Sequence, residues 1–189
     1  REQNMEPLAI LSLLATIGTS NSIELKKDIK QIIDEFKIET ISTSPGRIET
    51  DLLNALNKKL VQSLNFIDIK DRLASVDSRI DALFWNSVKG NLSTVEDIKN
   101  WADIVFNEDK IDVEDKEFVK QALSVIPAEP WDENTWESWT AEIKELTGRK
   151  GKELFLPLRE AFTGMKHGPE MKQLIQLLGR EKILNRVNI

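Results

Sequence analysis

The sequence predicts an all-α fold, a multi-helix bundle of two or three small helical subdomains. Three observations carry that prediction. Apolar residues recur three and four apart in nearly every segment, the spacing that lines one face of a helix. Only 8 glycines and 6 prolines occur in 189 residues, too few for a turn-rich all-β fold. Hydrophobic residues make up 40% and charged residues 31%, enough apolar material for a core and a solvated surface around it.

Taken in order, Glu6-Pro7 opens a helix with Leu8, Leu11, Leu14 and Ala15 on one face, and Gly18 ends it. Proline loses nothing in a first turn, where its missing N–H would have had no partner. Ser22-Ile23-Glu24-Leu25 opens a second helix, capped by Ser22, with Leu25, Ile29, Ile32, Ile33 and Phe36 at helical spacing. Residues 38–47 read as a loop, because Ser42-Thr43-Ser44-Pro45-Gly46 is a turn cluster. Leu52, Leu53, Leu56, Leu60 and Leu64 form the stripe of a long helix, followed by a shorter segment over 66–73 and a helix over 80–88 that ends at Gly90-Asn91. Ser93-Thr94-Val95-Glu96 caps a helix whose Ile98, Trp101, Ala102, Val105 and Phe106 share a face. Residues 107–112 form a charged connector, 113–125 a helix, and Pro127 to Pro130 a break that no helix crosses. A helix over 136–146 stops at Gly148. Three short helices follow, over 151–162, 170–178 and 180–187, punctuated by Gly164, Gly168-Pro169 and Gly179.

Several function classes fall away. With no cysteine and a single histidine, His167, there is no thiol chemistry, no disulfide framework, and no metal centre built on thiolates or on several imidazoles. No apolar run approaches the roughly 20 residues of a membrane helix. Neither a phosphate-binding glycine loop nor a nucleophile elbow is present. The carboxylates are scattered over helix surfaces; Asp112-Val113-Glu114-Asp115 is best read as a helix start favoured by the helix dipole. Trp85 and Trp101 lie on apolar faces and read as core. Trp131, Trp136 and Trp139 read as pins for the connector after the proline break, rather than as stacking platforms. The chain opens at Arg1 without a signal-peptide layout, which points to a cut into a longer protein or a processed end.

Charge is uneven. Residues 148–189 carry nine Lys and Arg against four Asp and Glu, a net of +5, whereas residues 1–147 carry −11 of the total −6. The basic end holds Gly148-Arg149-Lys150-Gly151-Lys152, then a helix with Arg159, a tight turn over 163–169 and a helix that starts at Gly168-Pro169-Glu170. Free amides at that helix start and the planar guanidinium of Arg159 suit base edges and phosphate. The same features also fit a basic hairpin that simply caps the fold.

At this segment, PLREAFTGMKHGPEMKQLIQLLGREKIL resembles the C-terminal anticodon-binding region of bacterial glutamyl-tRNA synthetases. WTAEIKELTGRKGKELFLPLREA is similar to the stretch that leads into that family's terminal hairpin. REQNMEPLAILSLLATIGTS resembles the helix that follows its KMSKS-type loop. FWNSVKGNLSTVEDIKNWADIVF resembles the alphaproteobacterial-type branch. The resemblance covers essentially the whole chain. It implies that residues 1–64 are the end of a stem-contact fold, 65–107 a first anticodon-binding helical subdomain and 108–189 a second. It also implies that the catalytic Rossmann domain lies upstream, so that ATP and Mg belong to a parent glutamate–tRNA ligase and this fragment has no catalytic residue, cofactor or metal of its own.

Carried over by motif, Arg159, Gly168, Pro169, Glu170 and Met171 match the hairpin that meets the anticodon. Gly168 and Glu170 differ in type from some better-known members. Arg149, Lys150, Lys152 and Lys166 are the expected phosphate contacts. Discriminating members place an arginine where Asn91 stands here. The resemblance therefore implies tRNA(Glu) as partner and, through a relaxed third-base reading, tRNA(Gln) as a second. A cytoplasmic monomer without membrane or DNA contact is expected. The competing class is a non-catalytic all-helical protein-interaction module, whose partner surface would be the acidic helices and the tryptophan cluster.

Overall fold

A computed structural model describes residues 3–43 and 50–189, and within these nearly all of the regular secondary structure is helical. Of the turn cluster expected around residue 44, Ser44, Pro45 and Gly46 lie outside the described residues, as does Arg47. The chain divides into two compact units. The first comprises residues 1–82 and 92–99, the second residues 83–91 and 100–189. No helix among the described residues is long and apolar enough to cross a membrane.

In the first unit, α1 (Pro7–Thr16) packs on α3 (Thr50–Ser63) through Ala9, Leu13, Leu56 and Leu60. This differs from the face expected for α1. Ala9, Ser12, Leu13 and Thr16 are buried, while Leu11 and Leu14 are exposed. The sequence PLAILSLLAT is apolar on every side, so periodicity alone does not choose the face that α3 covers. Buried Asn57 of α3 stitches two segments together. Its Oδ1 accepts from the Glu6 N–H at 2.7 Å, and its Nδ2 donates to the Ser93 carbonyl at 2.7 Å. Arg72 on α4 (Phe66–Val76) bridges Glu6 at 2.7 Å and Glu96 at 2.5 Å.

The helix expected from Ser22 starts later. α2 is Ile29–Glu35, capped by the Asp28 carboxylate, which accepts from the Gln31 N–H at 2.8 Å. Residues 22–26 are not helical. The Lys26 N–H donates to Ser12 Oγ at 3.0 Å, and Ile23 and Leu25 pack on the α1–α3 cluster. Those tertiary contacts outweigh the modest helical preference of the segment.

The Asp97 carboxylate accepts from the N–H groups of Ser93 and Thr94 at 2.9 and 2.8 Å, which caps the entry to α6 (Ile98–Phe106), as the Ser93-Thr94 signal predicts. From Asn100 onward α6 belongs to the second unit, with α5 (Ala82–Val88), α7 (Lys116–Ser124), α8 (Thr135–Thr147), α9 (Lys152–Thr163), α10 (Met171–Leu178) and α11 (Arg180–Arg186). The Asp115 carboxylate caps α7, accepting from the Phe118 N–H at 3.2 Å. Trp139 is fully buried and stacks on Phe162 at 5.4 Å, meets Trp136 edge-on at 6.0 Å, and donates its indole N–H to the Ala122 carbonyl at 3.0 Å. Trp131 donates to the Pro127 carbonyl at 3.2 Å, so this cluster does pin the proline connector. Trp85 and Trp101 are core residues.

Two short strands, β1 (Ile111–Asp112) and β2 (Val187–Asn188), pair in parallel with Ile111 opposite Val187. They add a strand to the end of the charged connector at 107–112 and correct the expectation of a helix running through Val187. Strands of two residues leave no periodicity to read. Arg186, just before β2, is buried. Its guanidinium donates to the carbonyls of Phe162 at 3.0 Å, Asn107 at 2.8 Å and Ile104, while Lys182 donates to that of Val105. Two cations of α11 thus satisfy carbonyls at the C-terminal ends of α6 and α9, where the helix dipoles favour positive charge.

Candidate nucleic-acid interface

The hairpin α9–turn–α10 lies in the second unit, and its local sequence explains its form. Phe155 and Arg159 are four apart on α9 and share a face. Pro157 lies between them and has no N–H, so the Glu153 carbonyl lacks its helical donor. Gly164 ends α9 in the left-handed conformation at φ +70°. Thr163 then braces the turn: its hydroxyl donates to the Arg159 carbonyl at 2.7 Å and accepts from the Met165 N–H at 3.1 Å.

Gly168 takes φ +153°, and a Cβ built there would lie 2.2 Å from Cη2 of Trp101. The turn therefore lies flat on the indole, an approach open to glycine alone. Pro169 is buried, and its carbonyl accepts from Arg159 Nη2 at 2.9 Å. The other terminal nitrogen, Nη1, is buried and makes no hydrogen bond. Burial alone lowers the pKa of Arg159 from the ordinary guanidinium value.

Arg159, Glu170 and Met171 meet at one groove of about 290 Å³, which Trp136, Phe155 and Lys172 complete. Trp136 is almost buried, whereas Phe155 is 44% exposed, with ring centroids 6.3 Å apart. Met171 is buried and forms part of the floor. Glu170 is exposed, and Lys172 lies 3.1 Å from its carboxylate. In the first turn of α10 the N–H groups of Gln173 and Leu174 bond to the Glu170 carbonyl, and those of Met171 and Lys172 precede any intrahelical partner. The groove thus joins an aromatic face and a guanidinium held by the Pro169 carbonyl to the start of α10. That set suits a flat group bearing acceptors, such as an unpaired base.

The expected phosphate contacts divide differently. Arg149 and Lys152 line a second groove with Glu153, Leu156 and Pro157. Arg149 is already engaged, with Nη2 2.6 Å from Asp115 and its guanidinium 4.1 Å above the Phe118 ring. The Arg149 guanidinium holds the Asp115 carboxyl below the usual range. Lys150 is exposed, and Lys166, also exposed, lies 3.3 Å from Glu160. Asn91 ends a short 3-10 turn after α5, is exposed, and lines neither groove. Phe155 and Lys172 escape a reading of the sequence that follows arginines and glycines. The signal for Phe155 is its i, i+4 relation to Arg159.

The family model described as anticodon binding domain matches residues 56–189. Glutamate–tRNA ligase 2 of Hyphomonas neptunium is 39% identical over 191 residues, taking in 100% of this chain and 43% of its own length. Glutamate–tRNA ligase 1 of a Chelativorans species is 40% identical over 196 residues, with 98% of this chain and 42% of its own length. The chain thus spans less than half the length of the curated relatives it matches. Among solved structures, the glutamate–tRNA synthetase of Elizabethkingia anophelis superposes with a TM-score of 0.79 at 17% identity, over 98% of this chain and 40% of that one; at such low identity the likeness is one of fold. Because the family model takes in the larger part of its residues, this chain belongs to the anticodon binding domain family.

Proposed function

We propose that the chain is the tRNA-reading part of a glutamate–tRNA ligase and that the groove between α9 and α10 takes an anticodon base. The observation that carries this is Arg159. It spends Nη2 on the Pro169 carbonyl, keeps Nη1 buried without a hydrogen bond, and lines the same groove as the exposed ring of Phe155. Pro169, Met171 and Trp101 beneath Gly168 fix the turn, so the guanidinium is pre-oriented before RNA arrives. Lys150, Lys152 and Lys166, with Arg149 where its pair to Asp115 opens, supply phosphate contacts that position without specifying.

In this reading the partner is tRNA(Glu), and Asn91 widens the choice to tRNA(Gln), because an amide at that position has no guanidinium fork with which to reject it. Residues 1–64 belong to a stem-contact fold, with helical anticodon-binding subdomains over 65–107 and 108–189. Glutamate attachment, with ATP and Mg, takes place in the parent ligase outside this chain, a cytoplasmic enzyme that acts as a monomer.

Fluorescence anisotropy with labelled anticodon stem-loops of tRNA(Glu), tRNA(Gln) and an unrelated tRNA, at two salt concentrations, tests the reading. Binding should favour the first two and weaken with salt. Arg159→Ala should cost about tenfold or more on the cognate loops while leaving the circular dichroism unchanged, the worth of a good base contact. Asn91→Arg should lower the tRNA(Gln)/tRNA(Glu) ratio. Equal binding of all three loops, unaffected by Arg159→Ala, would refute base reading and favour a protein-binding module.

A further inference from the structure

The acceptors of buried Arg186 are not scattered over the second unit. Its guanidinium donates to the Phe162 carbonyl on α9 at 3.0 Å, to the Ile104 carbonyl on α6, and to that of Asn107 just past α6 at 2.8 Å. Phe162 stands three residues after Arg159, and Ile104 three residues after Trp101. Each acceptor helix is therefore held about one turn beyond a side chain that fixes the hairpin. Between those two side chains the hairpin closes the circuit. Arg159 donates to the Pro169 carbonyl at 2.9 Å, and the neighbouring Gly168 lies on the Trp101 indole. The contacts form a ring within the second unit: Arg186, α9, Arg159, the Gly168-Pro169 turn, Trp101, α6 and Arg186 again.

We infer that Arg186 is a positioning residue for anticodon reading: by joining carbonyls of α6 and α9 it fixes the distance between Trp101, the seat of the turn, and Arg159, which lines the groove. This rests on the reading of the α9–α10 groove as a base site. A carbonyl in a helix moves with its helix, so bonds to Phe162 and Ile104 pin two helices rather than two side chains. One guanidinium can hold both because its nitrogens diverge in a rigid plane, whereas the ammonium of a lysine is a single point on a flexible stem. With that tie cut, α9 shifts against α6, and the turn loses either the indole or Arg159. A supporting group left loose in this way costs the site its geometry even when every contact residue is present. Arg186 does not line the groove itself, so its effect on a bound base passes through Arg159.

The test is anisotropy of the 189-residue chain with labelled tRNA(Glu) and unrelated anticodon stem-loops, at a temperature where unfolding curves show each variant folded. Arg186→Lys keeps the charge and loses the fork. It should weaken the cognate loop about threefold or more and the unrelated loop less than about twofold, with an unchanged salt dependence because no phosphate contact is touched. In an Arg159→Ala background the same substitution should add less than about twofold, since the group through which it acts is gone. Val119→Ala, a core truncation on α7 that weakens the same unit, is the control and should leave the cognate-to-unrelated ratio unchanged. If Arg186→Lys does not fold, nuclear magnetic resonance of the unsubstituted chain reads the ring directly: without RNA, the Arg159 Nε–H group should be as ordered as rigid backbone, with an order parameter of about 0.8. A value below about 0.6 would overturn the inference. So would no loss of cognate binding in Arg186→Lys, or an equal loss with and without Arg159. If the unsubstituted chain binds cognate and unrelated loops alike, the functional reading fails instead, and the order parameter still judges the ring.

Discussion

Replacing Gly168 by alanine puts a methyl group 2.2 Å from Cη2 of Trp101 and 3.1 Å from Cζ2 and Cζ3. Carbon atoms in contact rest at about 3.5–4.0 Å, so the turn or the indole must retreat by well over 1 Å. Trp101 has little room to yield, being 8% exposed on α6. Forced overpacking of this kind costs about 1–3 kcal/mol. Holding a Cβ at φ +153° adds about 1 kcal/mol or more. The variant should therefore lose about 2–4 kcal/mol, a drop in unfolding temperature of about 5–15 °C for a domain of this size. Urea unfolding followed by tryptophan fluorescence is the assay, because all five tryptophans belong to the second unit and report on it alone. Gly164→Ala is the control. It also sits at positive φ, but its new methyl would meet only Ile111 Cδ1 at 3.9 Å, so about 1 kcal/mol is expected. Trimming the indole by Trp101→Phe should make the double variant less unstable than the two single losses summed, by about 1 kcal/mol or more. If Gly168→Ala matched Gly164→Ala and showed no coupling to Trp101, the reasoning that seats this turn on the ring would be refuted.

Three further outcomes follow from the geometry. Arg186→Met strips donors from the carbonyls of Ile104, Asn107 and Phe162, and should destabilise the second unit by about 3–5 kcal/mol in the same fluorescence assay, since each buried acceptor left unpaired costs about 1–3 kcal/mol. Arg72→Met removes the bridge between Glu6 and Glu96; its partly exposed pairs limit the loss to about 1–2 kcal/mol, seen by circular dichroism as an earlier transition of the first unit. Asp77 and Asp115 have carboxyls held below the usual range, each chiefly by the arginine that bonds to it, Arg79 and Arg149. A folded pKa below the unfolded one gives stability that is present above about pH 4 and fades as pH falls through the folded value. Asp115→Asn should accordingly be less stable than the parent at pH 7 and converge with it as pH falls through the folded value of Asp115, and a gap that stayed constant with pH would count against the pair.

Much of the helical framework was legible because its signals are local. The stops at Gly148, Gly164 and Gly179, the acidic cap at Asp115 and the Ser93-Thr94 entry to α6 each act within a few residues. The Trp131–Trp139 cluster was legible for another reason: large aromatics beside a proline break have few places to go except onto neighbouring helices. At the hairpin, residue types marked Arg159 and the Gly168-Pro169 turn as the place to look. They did not assign roles. Gly168 contributes a bare backbone on Trp101, Met171 a floor, and Phe155 an open aromatic face.

What the sequence by itself determined is the set of helices and the basic hairpin at the C-terminal end, because turn chemistry, capping and 3.6-residue periodicity are properties of neighbouring residues. Only the tertiary structure decided which side of α1 meets α3, where α2 begins, that Ile111 pairs with Val187, and that Arg186 serves the ends of two helices. Each of those choices joins segments far apart in the chain. An apolar helix offers every face equally, a two-residue strand has no period, and a buried arginine finds carbonyls that no local pattern announces. The groove at Arg159 belongs to both levels: the spacing puts Phe155 and Arg159 on one face, and the fold brings α10 and Trp136 to enclose them.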